Sequence, residues 1–147
     1  MSPAPHQSGQ PVEGCVFCQI SAGRIPSIKI YEDSVFLAFM DITPQTEGHF
    51  LIVPRAHYPV LGEVPEAVLV RALPLAQRLA AAAMAGLGVE AFNLLQNNGA
   101  AAGQAVDHWH LHVIPRRDKK EFPFPPGRAA DLTKLPFVAE NIRLNIK

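Results

Sequence analysis

Hydrophobic and polar positions along this chain change their period several times, and each change marks an element. "SIKIYED" (27–33) and "VFLAFMDI" (35–42) are rich in β-branched and aromatic residues, with turn residues Asp33 and Ser34 between them. They predict two antiparallel strands. "TPQTEG" reads as a loop, and "HFLIVPR" (49–55) predicts a third strand stopped by Pro54. "PEAVLVRALPLAQRLAAAAMAG" (65–86) predicts a helix with Pro65 in its first turn and Gly86 at its end. Pro74 inside it predicts a kink or a weak point. "FNLLQNNG" (92–99) predicts a fourth strand leading into the Gly-rich "NNGAAAGQA", and "HWHLHVIPR" (108–116) predicts a fifth. Ahead of them all, "CVFCQISAG" (15–23) predicts one or two helical turns closed by Gly23, with Val16, Phe17 and Ile20 as apolar contacts.

These elements make an α+β chain: a five-stranded antiparallel, meander-type sheet with one long helix and short flanking helices. One domain is expected over 14–147, after a flexible leader (1–13) in which His6 is solvated. A Pro-rich tail follows from about 118, containing "EFPFPPG" and a helical segment near 131–145. The 147 residues suffice for a real core, and 48% hydrophobic with 18% charged residues is a globular composition.

Charge narrows the function. Thirteen basic and thirteen acidic residues cancel, and the only local excess is "RRDKK" (116–120). A nucleic-acid groove calls for a broader basic stripe, so nucleic acid is not an expected partner. An anionic ligand would have to be held locally, by backbone amides and a few side chains. No apolar run approaches the roughly 20 residues of a membrane span. "MSPAPHQSGQPVEG" has neither the basic nor the apolar region of a secretory signal, so a cytoplasmic location is expected.

The two cysteines form a C-x-x-C, Cys15 and Cys18. That spacing suits a redox pair or half of a zinc site; no thioredoxin-like pattern surrounds it, and zinc would need further ligands, for which histidine is the obvious supply. "HWHLHV" (108–113) is the other unusual stretch. On an extended backbone its period of two sends His108, His110 and His112 to one face, and Trp109, Leu111 and Val113 to the other. A core would not bury three titratable rings without partners. A metal site and a catalytic device both remain open at this point.

"HWHLHVI" resembles the signature of the histidine triad family, H-φ-H-φ-H-φ-φ with φ apolar. "IPSIKIYEDSVFLAFMDITPQTEGHFLIVPRAH" is similar to that family's N-terminal block, and "NNGAAAGQAVDHWHLHVIPR" to its C-terminal block. The resemblance covers about Cys15 to Arg116 and is nearest to the nucleoside phosphoramidase branch, including its bacterial zinc-containing members. It implies that His110 attacks the α-phosphorus of a nucleoside 5′-phosphoramidate or related adenylate. The nucleotidyl-histidine so formed is then hydrolysed by water. A neutral imidazole suits that role.

The resemblance further implies that His112 contacts the phosphate and that His49 supports the catalytic rings. Asn97, Gly103 and Gln104 match phosphate-side positions, and Asp41 matches the carboxylate that takes the ribose hydroxyls. Val16, Phe17, Ile20, Ile25, Phe39 and Ile42 match the base pocket. One departure is Ala105, where close relatives have Ser; only its backbone N–H remains to serve the phosphate. Cys15, Cys18, His57 and His108 match the zinc ligands, and a closed Cys₂His₂ set is structural rather than catalytic. A purine nucleotide substrate and a homodimer paired through the long helix and the following strand are also implied. Rival readings are a dinucleoside polyphosphate hydrolase, a nucleotide-binding adaptor with little turnover, and a zinc hydrolase that uses H-x-H as metal ligands.

Overall fold

The structure, a computed structural model, describes residues 8–121 and 126–147. Most of the leader, with His6, and the centre of the Pro-rich stretch (122–125) lie outside the described residues. Five strands form one antiparallel sheet: β1 (Lys29–Glu32), β2 (Phe36–Met40), β3 (Phe50–Pro54), β4 (Ala91–Leu95) and β5 (Leu111–Arg116). Their spatial order is β1-β2-β3-β5-β4. The first three form a meander. The long helix α2 (Glu66–Leu87) then carries the chain to the far edge, where β4 forms, and β5 returns between β3 and β4.

Both faces of the sheet centre are covered, so β2 and β3 read as unbroken apolar runs, FLAFM and FLIVP. On one face Phe36, Ala38, Phe50, Ile52, Trp109, Leu111 and Val113 pack with Ala72, Leu75, Ala76 and Ala80 of α2. On the other, Leu37, Phe39, Leu51 and Val53 pack with Cys15, Phe17, Cys18 and Ile20, in and beside the short helix α1 (Val16–Ser21). Leu51 lies opposite His112 in the β3–β5 ladder. The histidine row therefore belongs to the α1 face, while its apolar alternates anchor β5 to α2.

Element boundaries shift for local reasons. The fifth strand begins at Leu111, not at His108, because its ladder with β3 ends at the pair Ile52–Leu111. Beyond it β3 reaches Pro54, which has no N–H to give. Trp109 instead donates its N–H to the Tyr58 carbonyl (2.6 Å). The side chains keep their alternation although the ladder has stopped. Helix α2 runs unbroken through Pro74, which lies on its exposed side, and ends one residue past Gly86. Gly88 caps it in the left-handed region (φ 64°), which a glycine adopts without a Cβ penalty. The helix expected near 131–145 is α3 (Leu135–Arg143).

Helix α2 is 22 residues long and an 18-residue stretch of it has a mean hydropathy of 1.3, a length and composition that the core helix of a folded domain also reaches. Arg71 and Arg78 interrupt its apolar runs, which is why none stands out in the sequence. In this fold α2 is the helix that covers the sheet.

Candidate active site and metal centre

Where α1 meets the start of β5, the sulfurs of Cys15 and Cys18 and one ring nitrogen each of His57 and His108 lie within 4.8 Å of one another. All four residues are buried. Cys15 Sγ is 3.4 Å from His108 Nδ1, Cys18 Sγ is 3.4 Å from His57 Nδ1, and Cys18 Sγ is 3.7 Å from His108 Nδ1. A tetrahedral zinc with Zn–S near 2.3 Å and Zn–N near 2.05 Å requires S···N edges of about 3.6 Å. The donor set fits such an ion in number, chemistry and spacing. Burial pushes the Cys18 thiol above its ordinary pKa, a cost that a bound cation would offset by holding the thiolate.

Hydrogen-bond partners make the three imidazoles unequal. His108 Nε2 is 2.8 Å from the Pro54 carbonyl, an acceptor, so the proton sits on Nε2 and the Nδ1 lone pair faces the cysteines. His110 Nδ1 is 2.6 Å from the His108 carbonyl, so there the proton sits on Nδ1 and Nε2 carries the free lone pair. The Gln45 N–H donates to His49 Nδ1 (3.0 Å), which places the His49 proton on Nε2. His49 Nε2 donates in turn to His112 Nδ1 (2.9 Å), so neutral His112 carries its own proton on Nε2. Along the row the partners thus dictate a ring whose lone pair faces the cysteines, a ring whose Nε2 lone pair is free, and a ring with its proton on Nε2.

Asp41, His49 and His112 form a second cluster of potential metal ligands. The Gln45 amide argues against that use, because it commits the proton of His49 to the nitrogen a metal would need. Asp41 Oδ2 instead lies 3.5 Å from His49 Nε2 and supports the relay electrostatically. Burial is the largest influence on the rings of His49, His110 and His112 and lowers their pKa values, which favours the neutral form at pH 7. His112 is pushed to about 4 by burial, then by the neighbouring rings of His110 and His49, with Asp41 opposing. His108 falls to about 4 through burial, although its bond to the Pro54 carbonyl resists.

A cavity of about 300 Å³ opens above His110 and His112. Its lining joins Val16, Phe17, Ile20 and Ile25 on one side to Phe39, Asp41, Ile42 and Ala105 on the other. The Phe17 ring stands edge-on to His110, with centroids 5.1 Å apart. Ile42 is 91% exposed at the lip, an apolar side chain left for a ligand to cover. Asp41 Oδ1 accepts from the N–H and hydroxyl of Thr43 (2.8 and 3.1 Å), which fixes the carboxylate beside the histidines.

The cavity brings together all the expected base-pocket residues with Asp41, Ala105, His110 and His112. Asn97, Gly103 and Gln104 are not part of its lining. Gln104 is buried and its side chain is engaged within the fold: Oε1 accepts from the Gly99 N–H (2.7 Å), while Nε2 donates to the Pro59 and Val106 carbonyls (2.7 and 3.0 Å). It braces the glycine loop next to Ala105. Sequence reasoning passed over Thr43 and Ser27, which also line the cavity. The Asp41-x-Thr43 pattern is a recognisable Asx-turn and could have disclosed Thr43. Ser27 carries no such signal.

A model of the HIT domain matches residues 22–119. An adenosine 5′-monophosphoramidase of Saccharomyces cerevisiae is 46% identical over 106 residues, 72% of this chain and 65% of that protein. An adenylylsulfatase of Arabidopsis thaliana is 44% identical over 105 residues, 71% of this chain and 53% of that protein. The chain therefore spans between half and two thirds of the length of these two relatives. The structure of SMU.412c from Streptococcus mutans superposes with a TM-score of 0.89 at 34% identity, covering 100% of this chain and 94% of that one. A zinc-bound histidine triad family protein from Mycobacterium smegmatis gives 0.71 at 38% identity, covering 90% and 96%. The chain belongs to the HIT domain family.

Proposed function

We propose that this protein is a nucleotide hydrolase acting at the α-phosphorus of nucleoside 5′-phosphoramidates or related adenylates, through a nucleotidyl-histidine intermediate. The observation that carries this reading is the tautomer of His110, whose Nδ1–H is held by a backbone carbonyl so that a neutral Nε2 lone pair meets the cavity. That lone pair forms a P–N bond as the bond from phosphorus to the leaving amine or acyl group breaks. His112, with its proton on Nε2, serves the phosphate oxygens and the departing group. Water then cleaves the histidine–phosphorus bond and restores the ring. Asp41 is suited to the ribose hydroxyls because a carboxylate only accepts, and the apolar jaws are suited to a purine. The names of the yeast and plant relatives support both the reaction type and an adenylyl substrate.

Zinc at Cys15, Cys18, His57 and His108 belongs to this proposal, supported by the donor geometry and by the zinc-bound mycobacterial relative. A closed set of four leaves no open position, so its work is structural. We also infer a homodimer, supported by apolar residues left exposed on α2 and β4. The reading is tested by intact-mass measurement during turnover of an adenosine 5′-phosphoramidate. An adenylyl adduct should appear on the native protein and be absent from His110→Ala; unchanged activity in that variant would sink the assignment.

A further inference from the structure

Residues 8–13, just ahead of α1, run alongside the Cys₂His₂ cluster and are held at several points. The Gly9 N–H donates to the His57 carbonyl (2.7 Å), with Gly9 at φ 91°, a region that other residues rarely adopt. Gln19 Nε2 donates to the Glu13 carbonyl (2.6 Å), and the Cys15 N–H to the Val12 carbonyl (3.1 Å). Between these anchors the Val12 N–H donates to Cys18 Sγ (3.4 Å). The half-buried Val12 side chain packs on the core layer that holds both cysteines. Two cavities open beside the cluster, one of about 570 Å³ against Cys15 and His57, the other of about 470 Å³ against Cys18. Val12 lines both, so it is the wall between two openings that each reach a donor residue.

We infer that segment 8–13 is a strap that retains the metal: the Val12 N–H positions the Cys18 thiolate, and the anchored backbone shields the cluster between the two cavities. The inference rests on the zinc reading above and deepens it. A metal-bound thiolate keeps negative charge, and an amide that donates to it fixes its orientation and adds to the affinity of the site. On the inner side the cluster is closed by the fold, His108 being 0% exposed. A competing ligand must therefore approach from the side that the strap covers. Release of zinc then requires the strap to lift, which breaks the Gly9 and Val12 hydrogen bonds before a thiolate is exchanged. The segment ahead of the first cysteine thus sets how long the metal stays, although it supplies no ligand.

The test follows zinc transfer from the full-length, zinc-loaded protein to the colorimetric chelator pyridylazoresorcinol. A second readout is the sulfur-to-metal charge-transfer band of the cobalt-substituted protein. Val12→Pro removes the N–H and keeps an apolar side chain. It should speed transfer by about tenfold, the lower end of what loss of an outer-shell partner costs in affinity. It should also move the band to lower energy, because a thiolate without its hydrogen bond is the better electron donor. Val12→Ala keeps the amide and should leave the band in place. Gly9→Val is strained at φ 91°, so it loosens the anchor without altering a ligand and should also speed transfer. Native rates and bands in Val12→Pro would overturn the inference. Equal acceleration by Val12→Ala and Val12→Pro with an unmoved band would do the same, making Val12 a packing residue. If Val12→Pro does not fold, an unchanged rate in Gly9→Val refutes the strap. Native protein that takes up no zinc would instead overturn the zinc reading, and this inference with it.

Discussion

At the scale of single residues, the site depends on which nitrogen of each ring holds the proton. His112 accepts from His49 at Nδ1, so protonating His112 would set two N–H groups against each other across 2.9 Å. This agrees with the depression of its pKa from 6.5 to about 4, whose largest cause is burial. The sign of the linkage follows. Between pH 6.5 and about 4 the unfolded chain binds a proton at this residue that the folded chain refuses, so stability falls as the solution is acidified. Above pH 6.5 neither state binds it, and the contribution no longer changes. Thermal unfolding of the native protein and of His112→Asn, measured from pH 7.5 to 4.5, should show a shallower acid decline in the variant. Parallel curves would mean that His112 titrates normally in the folded protein.

At the scale of elements, α1 is six residues long and cannot be stable as an isolated helix. Three things hold it: Cys15 caps its N-terminus, accepting from the Cys18 N–H (3.5 Å); Phe17 and Ile20 pack on the sheet; and the Cys₂His₂ cluster ties it to the segments carrying His57 and His108. The same His108 offers its carbonyl to His110, so the proposed metal centre and the proposed nucleophile share one residue. Cys15→Ser should therefore lower zinc content, reduce the Tm by on the order of 10 °C and weaken AMP binding together. Metal analysis, thermal unfolding and calorimetry check this; retained stability and binding in a zinc-free variant would refute the structural role. Much of this arrangement is legible in the sequence, because period-two alternation survives at His108–His110 even where strand pairing has ended. The ending itself is not legible, since it depends on Pro54 meeting Trp109 from a strand more than fifty residues away. Nor is the placement of β5 between β3 and β4, which no local pattern records. Gln104 looks like a ligand-binding residue in the linear motif, and only the folded loop reveals that its side chain bonds the Gly99 amide and the Pro59 and Val106 carbonyls.

At the scale of the whole molecule, the apolar surface is distributed unevenly. Helix α2 buries Ala72, Leu75, Ala76 and Ala80 but leaves Val70 and Leu73 about 60% exposed. Next to it in sequence, β4 is an edge strand with Phe92 and Leu94 exposed, and among the described residues its outer side has no strand partner in the sheet. A long, apolar, unpaired edge is a liability in a monomer and is normally covered. In the proposed homodimer a second copy, related by a two-fold axis, would cover it with the same surface and let two antiparallel edges pair. The native chain, 16.0 kDa as a monomer, should sediment at twice that mass at micromolar concentration. Leu94→Lys puts a charge at the centre of the proposed contact and should shift the equilibrium toward monomer. The triad lies on the face of the sheet away from α2, so His110 should still form its adduct if the variant stays folded. A native protein that sediments as a monomer across that range would show that the exposed edge serves some contact other than self-association.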